Sequence, residues 1–374
     1  MSRDKRVEDL RGAVIGFGSI GKRHCENLAR LGVSRRIVVR RPEGQNPAFV
    51  PPHGVRVVTS HAEAISAGLD FAIVANPTRF HVETARRYLA TGIPVLLEKP
   101  ISDNALDARE LAAEAARAGV PASMAYCMRY HPAYAAARAA LQAGTIGPVL
   151  YAKAWFESYL PGWHPWEDYR QSYAARKDLG GGALRTLDHE IDFLNWCLGS
   201  PAAVLGSSRR SGALEGDADD CAALLLGYAD GVGDCPDFRR QDAAPGAVSC
   251  KAGENGTVPL GDTSVMATLT LALCRRDRSR GFEFVGSSGT LRYRWEEEQL
   301  RLVAADGQTA SVLVDHRGYD INQMYLDLLA DFLRVAAGGQ PSHAAADLAA
   351  GLRAIEVCCQ AEPIVPSPSG RGPE

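Results

Sequence analysis

Three glycines, spaced as in Gly16-Phe17-Gly18-Ser19-Ile20-Gly21, follow directly on the apolar run Ala13-Val14-Ile15 and open a helical pattern. Few arrangements leave a chain so little choice. The first glycine permits a tight turn, the second lets a ligand approach the backbone, and the third lets the helix pack closely on the strand. A helix starting there points free N–H groups and the positive end of its dipole over the turn, which suits a pyrophosphate. The whole segment, Phe17, Ser19 and Ile20 included, is therefore expected to cradle a dinucleotide. A purely structural glycine-rich strand end is the plainer alternative for such a motif taken alone.

The rhythm around the motif agrees with it. Apolar runs at 36–40, 55–59, 69–75, 94–97 and 121–126 alternate with helical stretches, one of them the Ala- and Leu-rich 105–118 stopped by Gly119. Repeats of this length predict a parallel sheet covered by helices on both faces, so the fold class is α/β. Residues 1–126 are read as a dinucleotide-binding Rossmann domain. Beyond them the pattern changes to a helix over 131–144, a strand over 148–158, an aromatic loop and a helix over 182–198. Strand-like segments joined by turns then run from 203 to 314 and predict a largely antiparallel sheet. Residues 127–362 are read as a second α/β domain, closed by helices at 319–337 and 344–360. The stretch 230–262 has no clear period and reads as an insertion, and the Pro-, Gly- and Ser-rich 363–374 as a disordered tail.

In NAD-binding units an acid at the end of the second strand holds the ribose 2′-hydroxyl. Arg40 and Arg41 stand there instead. Two guanidinium groups suit a 2′-phosphate, so NADP is favoured over NAD; the alternative is that they are solvated loop residues. A length of 374 residues fits two domains better than one core. The net charge of -3 gives no electrostatic reason to expect nucleic acid or an anionic membrane as partner. No apolar run is long enough to span a bilayer, and the charged N-terminus is not a signal peptide. Nine cysteines without a C-x-x-C pair read as reduced thiols in a cytoplasm, with no metal expected.

Two further segments stand at strand ends, where open parallel sheets bind ligands. Asn76-Pro77-Thr78, with His81 just beyond, follows the fourth apolar run; Glu98-Lys99-Pro100 follows the fifth. A lysine in that place can hold a substrate oxygen and stabilise the negative charge developing on it, although a solvated strand-end lysine is commoner. Asn76, Pro77, His81, Glu98 and Lys99 are expected around the cofactor. Further on, Gly180-Gly181-Gly182 is followed by His189-Glu190-Ile191-Asp192. With these four features in order over residues 12–198, the sequence resembles the glucose-fructose oxidoreductase / inositol dehydrogenase / rhizopine catabolism (Gfo/Idh/MocA) oxidoreductases.

The resemblance implies a Rossmann domain followed by an α/β domain with a large, mostly antiparallel open sheet, whose exposed face pairs subunits in a homodimer or homotetramer. It implies hydride transfer between a nicotinamide and a carbon of a sugar, inositol or related polyol, with catalytic roles for Lys99 and His189. It also implies a cis Lys99–Pro100 bond. One position departs from the family: many members carry an aspartate four residues before the histidine, and Arg185 stands here. On one helix Arg185 would lie beside His189, lower its pKa and favour the neutral imidazole, a form able to take the alcohol proton. An Arg185 turned outward, or one binding an anionic substrate group, are the alternatives.

Asp192, one turn beyond His189, is expected to orient the ring or to sit in a surface salt bridge. The loop 159–177, which includes Trp163, Tyr169 and Arg176, is expected to contact a sugar, unless it forms a subunit contact. Arg129 is read as lining the same cleft or as structural. Arg129, Trp163, Tyr169, Arg176, Arg185 and Asp192 are thus the candidate substrate contacts. A nucleotide-binding regulator and a redox-neutral epimerase or lyase that retains its cofactor are the competing functions.

Overall fold

A computed structural model of the chain describes residues 6–39, 52–228 and 265–361. Arg40, Arg41, the stretch 230–262 and the tail 363–374, all singled out in the sequence, lie outside the described residues. The first half runs β1 (Arg11–Ile15), α1 (Ser19–Arg30), β2 (Arg35–Val39), β3 (Val55–Val58), α2 (His61–Ser66), β4 (Phe71–Val74), α3 (His81–Leu89), β5 (Val95–Leu97), α4 (Ala105–Ala118) and β6 (Ala122–Met124). It continues with α5 (Pro132–Gln142), β7 (Val149–Tyr159), α6 (Ala183–Thr186), α7 (His189–Leu198), β8 (Ala203–Arg209) and β9 (Cys221–Tyr228). Then come β10 (Val265–Ala272), β11 (Cys274–Gly286), β12 (Gly289–Arg294), β13 (Gln299–Ala304), β14 (Ala310–Asp315), α8 (Asn322–Ala336), β15 (Ala346–Asp347) and α9 (Leu348–Gln360).

The first sheet has the order β15-β6-β5-β4-β1-β2-β3 and is parallel except at its β15–β6 edge. Its central strands are unbroken apolar runs, Phe71–Val74 and Val95–Leu97, buried at every position. That is what a strand covered by helices on both faces requires. Helix boundaries follow local chemistry. Asn104 accepts a hydrogen bond from the Asp107 N–H at the start of α4, and Gly119, with φ of 63°, takes the left-handed position that ends it.

The second sheet has the order β14-β13-β12-β11-β7-β10-β9-β8, antiparallel throughout except between β7 and β10. In β10, buried and exposed residues alternate, so one face of the sheet is covered. Under that face Tyr134, Phe193, Phe282, Phe284 and Tyr293 pack as one aromatic cluster, joining α5 and α7 to β11 and β12. Tyr151 and Met266, cross-strand neighbours, are among the large apolar residues left exposed.

Two expectations need correction. The helix expected over 182–198 is broken into α6 and α7 at Leu187 and Asp188, because the Thr186 carbonyl accepts from Lys99 Nζ at 2.5 Å instead of continuing the helix. The C-terminal segment does not close the second unit alone. β15 pairs with β6 at the edge of the first sheet, α9 packs on α4, and Phe332 of α8 meets Phe71 of β4 edge-to-face. Asn27 of α1 and Asn322 of α8 also exchange side-chain amide hydrogen bonds at 2.7 and 3.1 Å. The chain thus returns to its first sheet to finish it, a long-range pairing that no local periodicity reveals.

Among the described residues no helix is long and apolar enough to cross a membrane. The aromatic cluster makes a direct test of the second sheet. Phe282 is fully buried between four other rings, so Phe282→Ala should lower the urea-unfolding free energy by about 3–5 kcal/mol. A loss below about 1 kcal/mol would mean that the cluster is not packed as described.

Candidate active site

The glycine turn after β1 has the geometry its spacing predicts. Gly16 adopts φ of +93°, and a Cβ there would lie 2.6 Å from the Ala75 carbonyl oxygen. A Cβ on Gly21 would lie 2.3 Å from the Gly16 carbonyl oxygen, so the third glycine sets how closely α1 packs on the turn. Gly18 is different: a Cβ there meets nothing within 4 Å. Gly18 and Ser19 are exposed at the N-terminus of α1, and no acidic side chain occupies its first turn. An open backbone face at an uncapped, acid-free helix N-terminus fits a dinucleotide pyrophosphate.

The two strand-end segments are tied to each other behind this turn. The imidazole of His81, 1% exposed, faces the Pro100 carbonyl with Nδ1 at 2.7 Å and the Asn76 carbonyl with Nε2 at 2.8 Å. Burial lowers its pKa. His81 therefore positions the Asn76-Pro77 and Lys99-Pro100 turns from behind and is too buried to meet a cofactor itself, which corrects its expected contact role. Glu98 is likewise a buried partner, its Oε1 at 2.6 Å from His24 Nε2 on α1. Asn76 donates to Thr84 Oγ1 at 2.9 Å, and its own Oδ1 is buried with no hydrogen-bond partner among the described residues. The Lys99–Pro100 bond is cis.

From this mouth Lys99 reaches the break between α6 and α7. Its Nζ donates to the Thr186 carbonyl and lies 3.5 Å from Asp188 Oδ1. Burial acts to lower the Lys99 pKa, but Asp188 with Tyr173, Glu98 and Cys127 outweighs it, so the ammonium is held above its ordinary value. Asp188 is fully buried, and its Oδ2 accepts from the Tyr126 hydroxyl at 3.0 Å. Burial pushes its pKa up to about 7, against the opposing pull of Lys99 and Tyr126.

His189 follows at once. Its ring meets Tyr126 edge-to-face at 5.9 Å, and its Nε2 is 3.9 Å from Cys127 Sγ. Burial, then the charges of Lys99 and Arg280, push its pKa well below the ordinary value, so the imidazole is neutral at pH 7. The sequence reading expected Arg185 to supply that charge. It does not, because the helix break removes the one-turn relation, and Arg185 Nη2 instead donates to the Asp103 carbonyl at 3.0 Å. Arg280 supplies it from β11. Its guanidinium pairs with Glu190 at 2.6 Å, both residues buried.

The remaining candidates are mostly committed elsewhere. Arg129 and Asp192 form a buried two-point ion pair, with N···O distances of 2.9 and 2.6 Å. Asp192 therefore neither orients His189 nor reaches the surface, and the substrate roles read for this pair give way to a structural one. Arg176 pairs with Asp178 on the surface, and the Tyr169 hydroxyl accepts from the Glu215 N–H at 2.9 Å. These contacts fasten the loop. Trp163 stacks on Phe156 with centroids 6.4 Å apart, and its Nε1 donates to Ser158 Oγ at 3.0 Å. The loop is clipped to the glycine run by Gly181 N–H to the Arg176 carbonyl and Gly182 N–H to the Ala174 carbonyl, each 3.0 Å. A Cβ on Gly181 would fall 1.9 Å from the Tyr173 carbonyl oxygen, so this run is close packing between backbones.

Asp188, Tyr126, Cys127 and Arg280 were not foreseen, whereas Tyr173 lies in the loop 159–177 expected to contact a sugar. Asp188 was legible as the carboxylate next to His189, had the comparison not been fixed on the position four residues before it. Arg280 ends a sequence alternation, Arg276, Arg278, Arg280, and each guanidinium lies over an aromatic ring.

Comparisons with known proteins bear on both halves. The family model "Oxidoreductase family, NAD-binding Rossmann fold" matches residues 10–126, and the "GFO/IDH/MocA C-terminal domain" model matches residues 134–233. The rhizopine catabolism protein MocA of Rhizobium meliloti is 26% identical over 227 residues, 59% of this chain and 68% of that protein. An inositol 2-dehydrogenase of Leifsonia xyli subsp. xyli is 28% identical over 199 residues, 52% of this chain and 55% of that enzyme. The chain thus spans about half the length of the latter enzyme. Among solved structures, levoglucosan dehydrogenase in complex with NADH superposes with a TM-score of 0.74 at 17% identity, covering 94% of this chain and 95% of that one. GenD2 from gentamicin A biosynthesis, in complex with NAD, gives a TM-score of 0.70 at 22% identity, with 94% and 93% covered. At these identities the superpositions speak for the fold.

The buried Asp188 carboxyl carries a measurable consequence. It holds its proton to about pH 7 in the folded chain, against 3.8 for the free group, so folding takes up a proton between those values. Its contribution therefore weakens the fold as pH rises through that window. Asp188→Asn removes the titration. Relative to the unsubstituted chain, the variant's unfolding free energy should climb between about pH 4 and about pH 7, whatever the constant offset from leaving Lys99 without a carboxylate. A difference that stays flat across the window overturns the assignment.

Proposed function

The chain belongs to the GFO/IDH/MocA oxidoreductase family, and from that premise we propose that it is a dehydrogenase or reductase acting on a CH–OH carbon of a sugar, inositol or related polyol. The observation that carries this reading is the reach of Lys99 Nζ from the mouth of the first sheet to Thr186 and Asp188, directly before His189. The turn Gly16–Gly21 would hold the pyrophosphate, with Asn76 and Pro77 at the neighbouring strand end. A bound nicotinamide supplies the hydride acceptor or donor.

The chain's own groups handle the oxygen and the proton. Lys99, cationic and aimed by the Thr186 carbonyl and Asp188, stabilises negative charge on the reacting oxygen. His189, neutral at pH 7, takes the alcohol proton. The charges of Lys99 and Arg280 make an imidazolium unfavourable there, so His189 relays the proton and does not store it. Asp188 balances the ammonium without itself touching substrate and is a positioning residue.

NADP is favoured over NAD in this reading because Arg40 and Arg41 follow β2 where a ribose-binding acid would stand. The exposed apolar residues of the second sheet, Tyr151 and Met266 among them, suit a contact between copies of the chain.

Three measurements test the proposal. Lys99→Ala should lower turnover by about a hundredfold or more, while fluorescence titration shows dinucleotide affinity kept; retained turnover would place the chemistry elsewhere. In the same titration NADPH should bind more tightly than NADH, and equal or reversed affinities overturn the argument from Arg40 and Arg41. Sedimentation at micromolar concentration should show a dimer or tetramer, and a monomer removes the subunit-contact reading.

A further inference from the structure

Strand β11 carries three arginines at alternate positions in sequence, each over an aromatic ring. The Arg276 guanidinium lies 4.5 Å over Tyr159. Arg278 lies 5.3 Å over Phe156 and 5.1 Å over Trp295, and Arg280 lies 4.5 and 5.4 Å over the same two rings. Two guanidinium groups therefore share one aromatic floor, whose Phe156 is also stacked by Trp163. Their surroundings differ. Arg280 is 5% exposed and paired with Glu190, whereas Arg278 is exposed and has no ion-pair partner among the described residues.

The neighbouring carboxylates are already engaged. Arg275 binds both Glu157 and Asp277, and Arg280 takes Glu190. Burial and the Arg280 charge lower the Arg278 pKa, while Glu190, Tyr134 and Tyr293 act the other way. A surface arginine with no task normally swings into water or finds a carboxylate. This one stays over two rings, next to the arginine whose field acts on His189. The rings hold the guanidinium in place, and its N–H groups can donate to a planar or tetrahedral oxyanion in two-point fashion.

We propose that Arg278, seated on Phe156 and Trp295 beside Arg280, forms an anion subsite of the cleft, and that the substrate carries a carboxylate or phosphate group in addition to the reacting CH–OH. The proposal rests on the oxidoreductase reading above for the identity of the cleft. Its test separates the two.

Calorimetric titration of the protein saturated with NADPH should show D-glucuronate or D-glucose 6-phosphate binding at least about tenfold more tightly than D-glucose, the effect of one charge-assisted contact. The arm that wins distinguishes carboxylate from phosphate. Arg278→Gln should abolish that preference and leave D-glucose affinity within about twofold, while Arg278→Lys, which keeps the charge but loses the fork, should retain part of it. The preference should also fall as salt rises. Equal affinity for the three sugars, no binding of either anionic sugar, or a preference that survives Arg278→Gln would overturn the subsite. Hydride transfer is scored separately on the same panel. Discrimination without turnover speaks against the dehydrogenase reading and leaves the subsite standing, and turnover without discrimination does the reverse.

Discussion

Three buried carboxylates at the start of α7 hold the molecule together. Asp188, Glu190 and Asp192 occupy alternate positions, and each meets a cation from a different element. Lys99 comes from the end of β5, Arg280 from β11 and Arg129 from the turn after β6, at 3.5, 2.6 and 2.6 Å. The positive end of the α7 dipole favours the carboxylates. Removing one member of a buried pair leaves an uncompensated charge, at a cost of about 3–5 kcal/mol. The pairs thus fix the first sheet, the second sheet and the helix between them in one arrangement, and every distance in the candidate site depends on that.

The same pairing sets the electrostatics of His189. With each nearby carboxylate matched, the ring experiences burial and the fields of Lys99 and Arg280, and all three favour the neutral form. Asp188 is the loosest member of the set. Its cation stands 3.5 Å away and spends a hydrogen bond on the Thr186 carbonyl, so burial prevails and the carboxyl titrates near neutrality. Asp192 receives two hydrogen bonds from one guanidinium. The helix break at Leu187 and Asp188 thus leaves one loosely held carboxylate among fixed ones.

The parts of the fold written in local patterns could be read from the sequence. The glycine turn, the unbroken apolar strands of the first sheet and the alternation in β10 each follow from periods of two to four residues. The parts that escaped depend on distant segments. Nothing in Ala346-Asp347 announces a strand, since its pairing with β6 is imposed by residues more than two hundred positions away. The 182–198 stretch reads as one helix because the cause of its break, the Lys99 ammonium, lies far off in sequence. For the site, the motifs single out Lys99 and His189, whereas the Arg129–Asp192 pair escaped because the sequence shows two charged residues without showing that they meet.

The charge ledger of the cleft then assigns different work to the two sheets. Lys99, Arg280 and Arg129 are matched by Asp188, Glu190 and Asp192, and a neutral His189 adds nothing. Arg278 is left over, so a positive charge without a carboxylate partner among the described residues stands on β11 although the chain as a whole carries a formal charge of -3. A neutral polyol gains little from such a field, whereas an anionic one is drawn to it and oriented by it. In the proposed reading Lys99 acts where charge develops during reaction, on the first sheet beside the glycine turn. Arg278 acts on charge the ligand already has, on the second. Chemistry and selection thus reside on separate strands, joined through Arg280, whose guanidinium shares a ring floor with one and a field with the other.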